Sequence, residues 1–160
     1  MEERRAVVAG ASGFIGRAVV SALEADGYRV RTVGRTGEFA WSDPRSIARA
    51  VDGAEVLINL AGKSVDCRYT DSNRDEILRS RVETTRMLRA AVAAASVPPR
   101  VWLNASTATI YCHSMDHPNT ESDGELGTGF SVDVAKSRGR ELVAGELVGG
   151  LAGPSRDLVG

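Results

Sequence analysis

The chain has 160 residues, enough for one domain around a single core, and its 20 basic and 21 acidic side chains leave a formal net charge of −1. That balance argues against bulk attraction to nucleic acid or to an anionic membrane surface. No apolar run approaches the length of a membrane-crossing helix, and the opening MEERRAVVAG lacks a signal-peptide pattern. The two cysteines, Cys67 and Cys112, suit reduced thiols, so a cytoplasmic protein is expected.

The first element is the apolar run Ala6 to Ala9, suited to a buried parallel strand. Gly10, Gly13 and Gly16 follow at once, and a helical pattern opens at Phe14 and runs to Asp26, with Ile15, Val19, Ala22 and Leu23 on one face and Gly27 as its stop. Strand, spaced glycines and helix together make a cradle for a dinucleotide's diphosphate. The first glycine permits the tight turn, the second lets backbone approach phosphate, and the third lets the helix pack close to the sheet. The helix N-terminus adds free N–H groups and partial positive charge. The backbone of Gly10, Ser12, Gly13, Phe14, Ile15 and Gly16 is the candidate cofactor cradle.

A second strand is expected from Tyr28 to Val33, running into Gly34-Arg35. No acid stands at residues 31 to 36 to bind ribose hydroxyls; the nearest is Glu38. Arg35 instead suits the 2′-phosphate of NADP by charge and by bidentate hydrogen bonding, with Arg31 as a second contact and NAD as the alternative cofactor. A short third strand is placed at Glu38 to Trp41. Asp43-Pro44 then opens a helix to about Val51, Asp43 serving as N-cap rather than reaching an adenine edge.

The fourth strand, Glu55 to Leu60, ends in Asn59-Leu60-Ala61-Gly62, a small-residue exit that leaves space for a cofactor at the carboxyl edge of the sheet. A long helix from about Asp71 to Ala95 buries Ile77, Leu78, Val82, Leu88, Ala91 and Val92. After Pro98-Pro99 comes a fifth strand, Arg100 to Ala105, then a long loop over residues 107 to 129, then a helix from Phe130 to about Val143. Alternating strands and helices predict an α/β fold: a Rossmann-like, doubly wound parallel sheet with helices on both faces. Beyond the fifth strand, the hydroxyls of Ser106 and Thr107 are placed to bind a substrate oxygen. Tyr111 is either a general acid, if its phenol falls from the ordinary value of about 10, or a structural tyrosine. Cys112, His113, Asp116 and His117 are metal-ligand types, but they share one loop with no second cluster, so no metal site is expected.

GASGFIG at the N-terminus, NLAG after the fourth strand and NASTATIY after the fifth resemble the extended short-chain dehydrogenase/reductase superfamily, the NAD-dependent epimerase/dehydratase group. Asn59 to Arg81, NLAGKSVDCRYTDSNRDEILRSR, is similar to an atypical sugar-nucleotide epimerase branch with an NLAG…RW…ILxSRVxxT pattern. Tyr69 stands at the usual tryptophan, and Ser80, Arg81, Val82 and Thr85 match SRVxxT. The resemblance covers about residues 5 to 136, a family member's N-terminal half. It implies a cofactor site at Gly10, Gly13, Gly16, Arg35, Asn59, Ala61 and Gly62, with Leu60 between them. It also implies a substrate-orienting Thr107 beside Ser106, and a ribose-holding Lys136. The superfamily's acid/base tyrosine stands four residues before that lysine; here the position is Val132, which puts the standard proton transfer in doubt and leaves Tyr111 as the substitute.

The resemblance thus implies an NADP(H)-binding oxidoreductase or epimerase-like protein acting on a sugar nucleotide or another carbonyl or hydroxyl substrate. A nicotinamide-binding module without turnover and an inert fragment are the competing readings. A small-molecule substrate is the expected partner; relatives often dimerise through helices, which makes a homo-oligomer a candidate assembly, though the sequence does not set the oligomeric state. Relatives continue after the lysine with Trp-Glu, where this chain has Ser137-Arg138-Gly139. Residues 1–137 are therefore expected to form an incomplete Rossmann domain. Residues 138–160, with six glycines after Arg138 and no aromatic residue, are expected to form a non-matching tail, disordered or loosely helical, of a truncated or frameshifted product.

Overall fold

A computed structural model describes residues 3–36 and 38–144. Five strands form one parallel sheet: β1 (Arg5–Ala9), β2 (Arg29–Gly34), β3 (Phe39–Ala40), β4 (Val56–Asn59) and β5 (Val101–Asn104), in the spatial order β3-β2-β1-β4-β5. Four α-helices connect and cover them: α1 (Phe14–Ala25), α2 (Pro44–Val51), α3 (Asp71–Ala94) and α4 (Phe130–Val143). The chain winds outward from β1 through β2 to β3, then returns to start β4 on the other side of β1. That reversal leaves a crevice at the carboxyl ends of β1 and β4, where open α/β sheets bind ligands.

Every expected strand and helix is present, with ends shifted by a residue or two. Asp43 caps α2 by accepting a hydrogen bond from the Arg45 amide at 3.0 Å, and Pro44 takes the first helical position, where its missing N–H costs nothing. The loop after β5 carries structure of its own: a short 3₁₀ turn at Ala108–Ile110 and an antiparallel bridge between Tyr111 and Leu126. The helix α4 runs through Val143 as expected from its periodicity, so residues 138–143 of the expected tail belong to it; residues 145–160 lie outside the described residues.

The two faces of the sheet are unequal. Val7, Ala9, Val33 and Leu57 meet Ile47, Ala50 and Val51 of α2 and Leu88 and Ala91 of α3 in the main core, with Trp102 packed at its edge. Strand alternation turns Ala6 and Val8 to the other face, which α1 covers. Only Gly16 of α1 is fully buried. The expected apolar stripe is correspondingly weaker than the sequence suggests: Ile15 and Ala22 are exposed, and Val19 and Leu23 are half-buried. The same face of β5 exposes Val101 and Leu103. On α3, Ile77, Leu88 and Ala91 are buried as expected, but Thr85 replaces Leu78, Val82 and Val92 as the fourth buried residue.

Leu57 and Leu103 sit on adjacent strands but on opposite faces, 0% and 53% exposed. Leu57→Ala should lower unfolding stability by about 2–5 kcal/mol through lost transfer energy and cavity formation, whereas Leu103→Ala should cost less than about 1 kcal/mol. Urea unfolding of the two variants measures the contrast, and equal losses would overturn this assignment of the core face.

Candidate functional site

The glycine turn after β1 assigns different work to its three glycines. Gly10 adopts φ +79°, the left-handed region, and a Cβ there would lie 2.8 Å from the carbonyl carbon of Leu60 and the amide nitrogen of Ala61. A Cβ at Gly16 would lie 2.5 Å from the Gly10 carbonyl oxygen. Both positions are glycine because backbone passes too close for a side chain. Gly13 is different: its backbone is extended, and a Cβ would meet only the Gly10 oxygen at an ordinary 3.4 Å. Ser12, Gly13, Phe14 and Ile15 are exposed, and α1 begins with no side-chain cap, so its first amides face outward. Phe14, 87% exposed, is not part of the core.

Arg35 is exposed just beyond the end of β2. Arg31, expected as a second phosphate contact, is engaged elsewhere. Its Nη1 donates to the Arg49 and Ala50 carbonyls at 2.8 and 2.9 Å, capping the C-terminal end of α2, whose last carbonyls lack helical partners.

The exit from β4 is held by side chains of α3. Asn59 is fully buried: its Nδ2 donates to Thr85 Oγ1 at 3.2 Å and Asn104 Oδ1 at 2.8 Å, and its Oδ1 accepts from the Ala61 amide at 3.1 Å. Ser80 Oγ accepts from the Lys63 amide at 2.9 Å, and Arg81 Nη1 donates to the Lys63 carbonyl at 3.0 Å. The matched residues Ser80, Arg81 and Thr85 therefore clamp the 59–63 loop. The small residues of that loop serve this close packing rather than leaving open space: Ala61 is buried beneath Gly10, and a Cβ on Gly62 would lie 2.9 Å from Arg81 Cζ. Asn59 accordingly shapes the crevice through the loop and does not present its amide to it.

Beside this loop lies a cavity of about 490 Å³ between α3, α4 and the ends of β4 and β5. Leu60, Ala61, Ser106 and Thr107 line it, so these expected residues are brought together. Thr107 Oγ1 lies 2.9 Å from Thr109 Oγ1 and accepts from the Thr109 amide at 3.2 Å, opening the 3₁₀ turn. Tyr111 and Lys136 are not among the lining residues. The ring of Tyr111 packs against Gly124 and its backbone pairs with Leu126, so it fastens the 112–126 loop. Lys136 is half-buried on α4, off the Ser131–Ala135–Arg138–Leu142 row that faces the cavity. Val132, at the tyrosine position, is 3% exposed.

Two cavity residues were missed as site residues. Arg81 was legible only as a motif match, and Arg138 fell in the expected tail. Burial lowers the pKa of Arg81, and that of Arg138 is pushed down to about 10 by burial first and by the positive charge of Arg81 second. In the 112–117 loop, His117 Nδ1 lies 2.8 Å from Asp116 Oδ1, and among the described residues no group of three or more His, Cys, Asp and Glu is placed to hold a metal. No described helix is long and apolar enough to cross a membrane.

Thr85→Val keeps the shape of the side chain but leaves one buried Asn59 N–H without an acceptor. It should lower unfolding stability by about 1–3 kcal/mol, read by urea unfolding, against about 0.5 kcal/mol or less for exposed Ser106→Ala. A Thr85→Val protein as stable as wild type would refute the clamp.

Comparison with known proteins agrees with this architecture. Residues 6–144 match the model of the NAD dependent epimerase/dehydratase family. The epimerase family protein SDR39U1 of Mus musculus is 32% identical over 149 residues, which are 89% of this chain and 50% of that protein. An epimerase family protein of Mycobacterium leprae is 35% identical over 144 residues, 83% of this chain and 46% of the relative. The crystal structure of human SDR39U1 (isoform 2) with NADPH superposes with a TM-score of 0.77 at 26% identity, covering 86% of this chain and 48% of that one. A short-chain dehydrogenase/reductase superfamily protein from Agrobacterium tumefaciens with bound NAD gives 0.68 at 29% identity, covering 88% and 44%. The chain spans about half the length of the curated relatives it matches. With its parallel sheet, glycine turn and clamped loop, the chain belongs to the NAD dependent epimerase/dehydratase family.

Proposed function

We propose that this chain holds NADP(H) across the carboxyl ends of β1, β2 and β4, and that it serves an oxidoreductase or epimerase-like reaction on a sugar nucleotide or another carbonyl or hydroxyl substrate. The observation that carries the reading is the unequal demand on the three glycines. Packing requires Gly10 and Gly16, but among the described residues nothing requires Gly13, and a glycine at an exposed, uncapped helix start is what a closely approaching diphosphate needs. The backbone amides of Phe14, Ile15 and Gly16 would receive the diphosphate above Gly13, whose own amide donates to the Gly10 carbonyl at 3.2 Å, with Ser12 at the rim. Arg35 would pair with the 2′-phosphate, and the 59–62 loop would wall the crevice. The bound nicotinamide would supply a hydride donor or acceptor.

Thr107 and Ser106 would orient the substrate oxygen from the cavity rim. No proton-transfer role goes to Tyr111 or Lys136, since neither lines the cavity. The second reading, a nicotinamide-binding module without turnover, is favoured by buried Val132, which has no proton to give. The NADPH named in the human relative's structure favours NADP, and the NAD named in the bacterial one keeps NAD as the alternative. A cytoplasmic site, a small-molecule substrate and assembly as a homo-oligomer belong to the same reading; the near-neutral charge and the two free cysteines support the first.

Titration with NADPH and NADH, followed by nicotinamide fluorescence, tests the reading. NADPH should bind tighter, and Arg35→Ala should erase most of the difference, a loss of about tenfold or more for NADPH alone. Gly13→Ala should unfold at the wild-type urea midpoint yet bind NADPH at least about tenfold more weakly, because its methyl group meets the Gly10 oxygen at no less than 3.4 Å but stands in the path of the ligand. Undiminished NADPH affinity in Gly13→Ala would remove the basis of the assignment. Turnover with carbonyl substrates separates the two readings: a rate lost in Thr107→Ala with NADPH affinity kept supports catalysis.

A further inference from the structure

The cavity between α3 and α4 holds two arginines and, among the described residues, no counter-charge. Arg138 is 6% exposed, and its Nε has no hydrogen-bond partner among the described residues. Among the described residues its guanidinium makes one bond, from Nη2 to the Asn59 carbonyl at 3.1 Å. Arg81, half-buried, donates from Nη1 to the carbonyls of Lys63 and Ile77 at 3.0 and 3.1 Å. Among the described residues, neutral carbonyls are thus the partners of both charges. Among the described residues, no aspartate or glutamate lines the cavity. Two acids of α3 and α4 are held by other cations: Glu141 by Arg86 at 3.1 Å and Arg89 at 2.8 Å, and Glu76 by Lys63 at 2.6 Å. Two like charges drawn out of water without a counter-charge are unfavourable, and an entering anion relieves both the repulsion and the missing hydrogen bond.

The walls show what kind of anion fits. Ile77, Phe130, Val134 and Leu142 present hydrocarbon, and Tyr69 meets Phe130 edge-on at 5.7 Å. Arg74 stands over both rings, 5.9 Å from Tyr69 and 5.2 Å from Phe130, adding positive charge beside them. Ser106, Thr107, Thr109, Ser131 and Tyr69 are the hydroxyl-bearing residues among the described lining. A bare oxyanion would leave these apolar walls unused, and a neutral apolar molecule would leave the arginines unpaired.

We infer that the cavity is a binding site for an organic carboxylate with an apolar body, its carboxylate received by Arg81 and Arg138 and its hydrocarbon lying along Ile77, Phe130, Val134 and Leu142. The site lies in the cavity whose rim carries Ser106 and Thr107, so it names a carboxylate for the substrate proposed there, while octanoate binding does not require the dinucleotide. Calorimetric titration of the whole chain with octanoate, n-octanol and inorganic phosphate tests it. Octanoate should saturate a single site, with octanol and phosphate each at least about tenfold weaker. Arg138→Met should lose about tenfold or more in octanoate affinity while binding NADPH as wild type does, which separates this site from the proposed cofactor crevice. Octanol binding as tightly as octanoate, phosphate binding as tightly, no octanoate heat in wild type, or unchanged octanoate affinity in Arg138→Met would each overturn the inference. If Arg138→Met does not fold, the octanoate–octanol contrast in wild type decides it.

Discussion

One buried amide organises the functional end of this protein. Asn59 has no exposed surface, and its side chain ties β4 to Asn104 of β5, to Thr85 of α3 and to the Ala61 amide of its own loop. Its carbonyl accepts the Ala105 amide at 2.9 Å and the Arg138 guanidinium at 3.1 Å. Two strands, two helices and a loop therefore meet at one residue. A buried polar group of this kind is favourable only when its hydrogen-bonding capacity is satisfied, so each partner is constrained by the others.

The crevice and the cavity flank this hub. On one side the loop supports Gly10, which lies against Leu60 and Ala61 closely enough to exclude a side chain. On the other side the same Leu60 and Ala61 line the space between the helices. A shift of the loop would alter both places together. The clamp from Ser80 and Arg81 resists that shift by binding the amide and the carbonyl of Lys63.

The succession of strands and helices along the chain, the start of α2 and the glycine turn were legible because they rest on local signals: alternation of apolar runs, Asp43-Pro44, and glycines at a strand end. What escaped depends on contacts far apart in sequence. Arg31 reads as a phosphate ligand by position, yet the C-terminal end of α2 claims it. Ala61 and Gly62 read as open space, yet Gly10 and Arg81 fill it. Tyr111 and Lys136 have suitable chemistry, but the 112–126 loop takes the first and helical phase turns the second off the cavity-facing row. Arg138 carried no local signal, because a basic residue in a polar stretch reads as solvated until α4 docks and buries it.

The bond between Arg138 and Asn59 joins residues 79 positions apart. A chain emerging from the ribosome can pair β1, β2 and β4 and form the glycine turn while α4 is still unmade. The floor beneath the arginines closes only when α4 arrives, so that pocket matures last, and the nascent sheet precedes it as a scaffold.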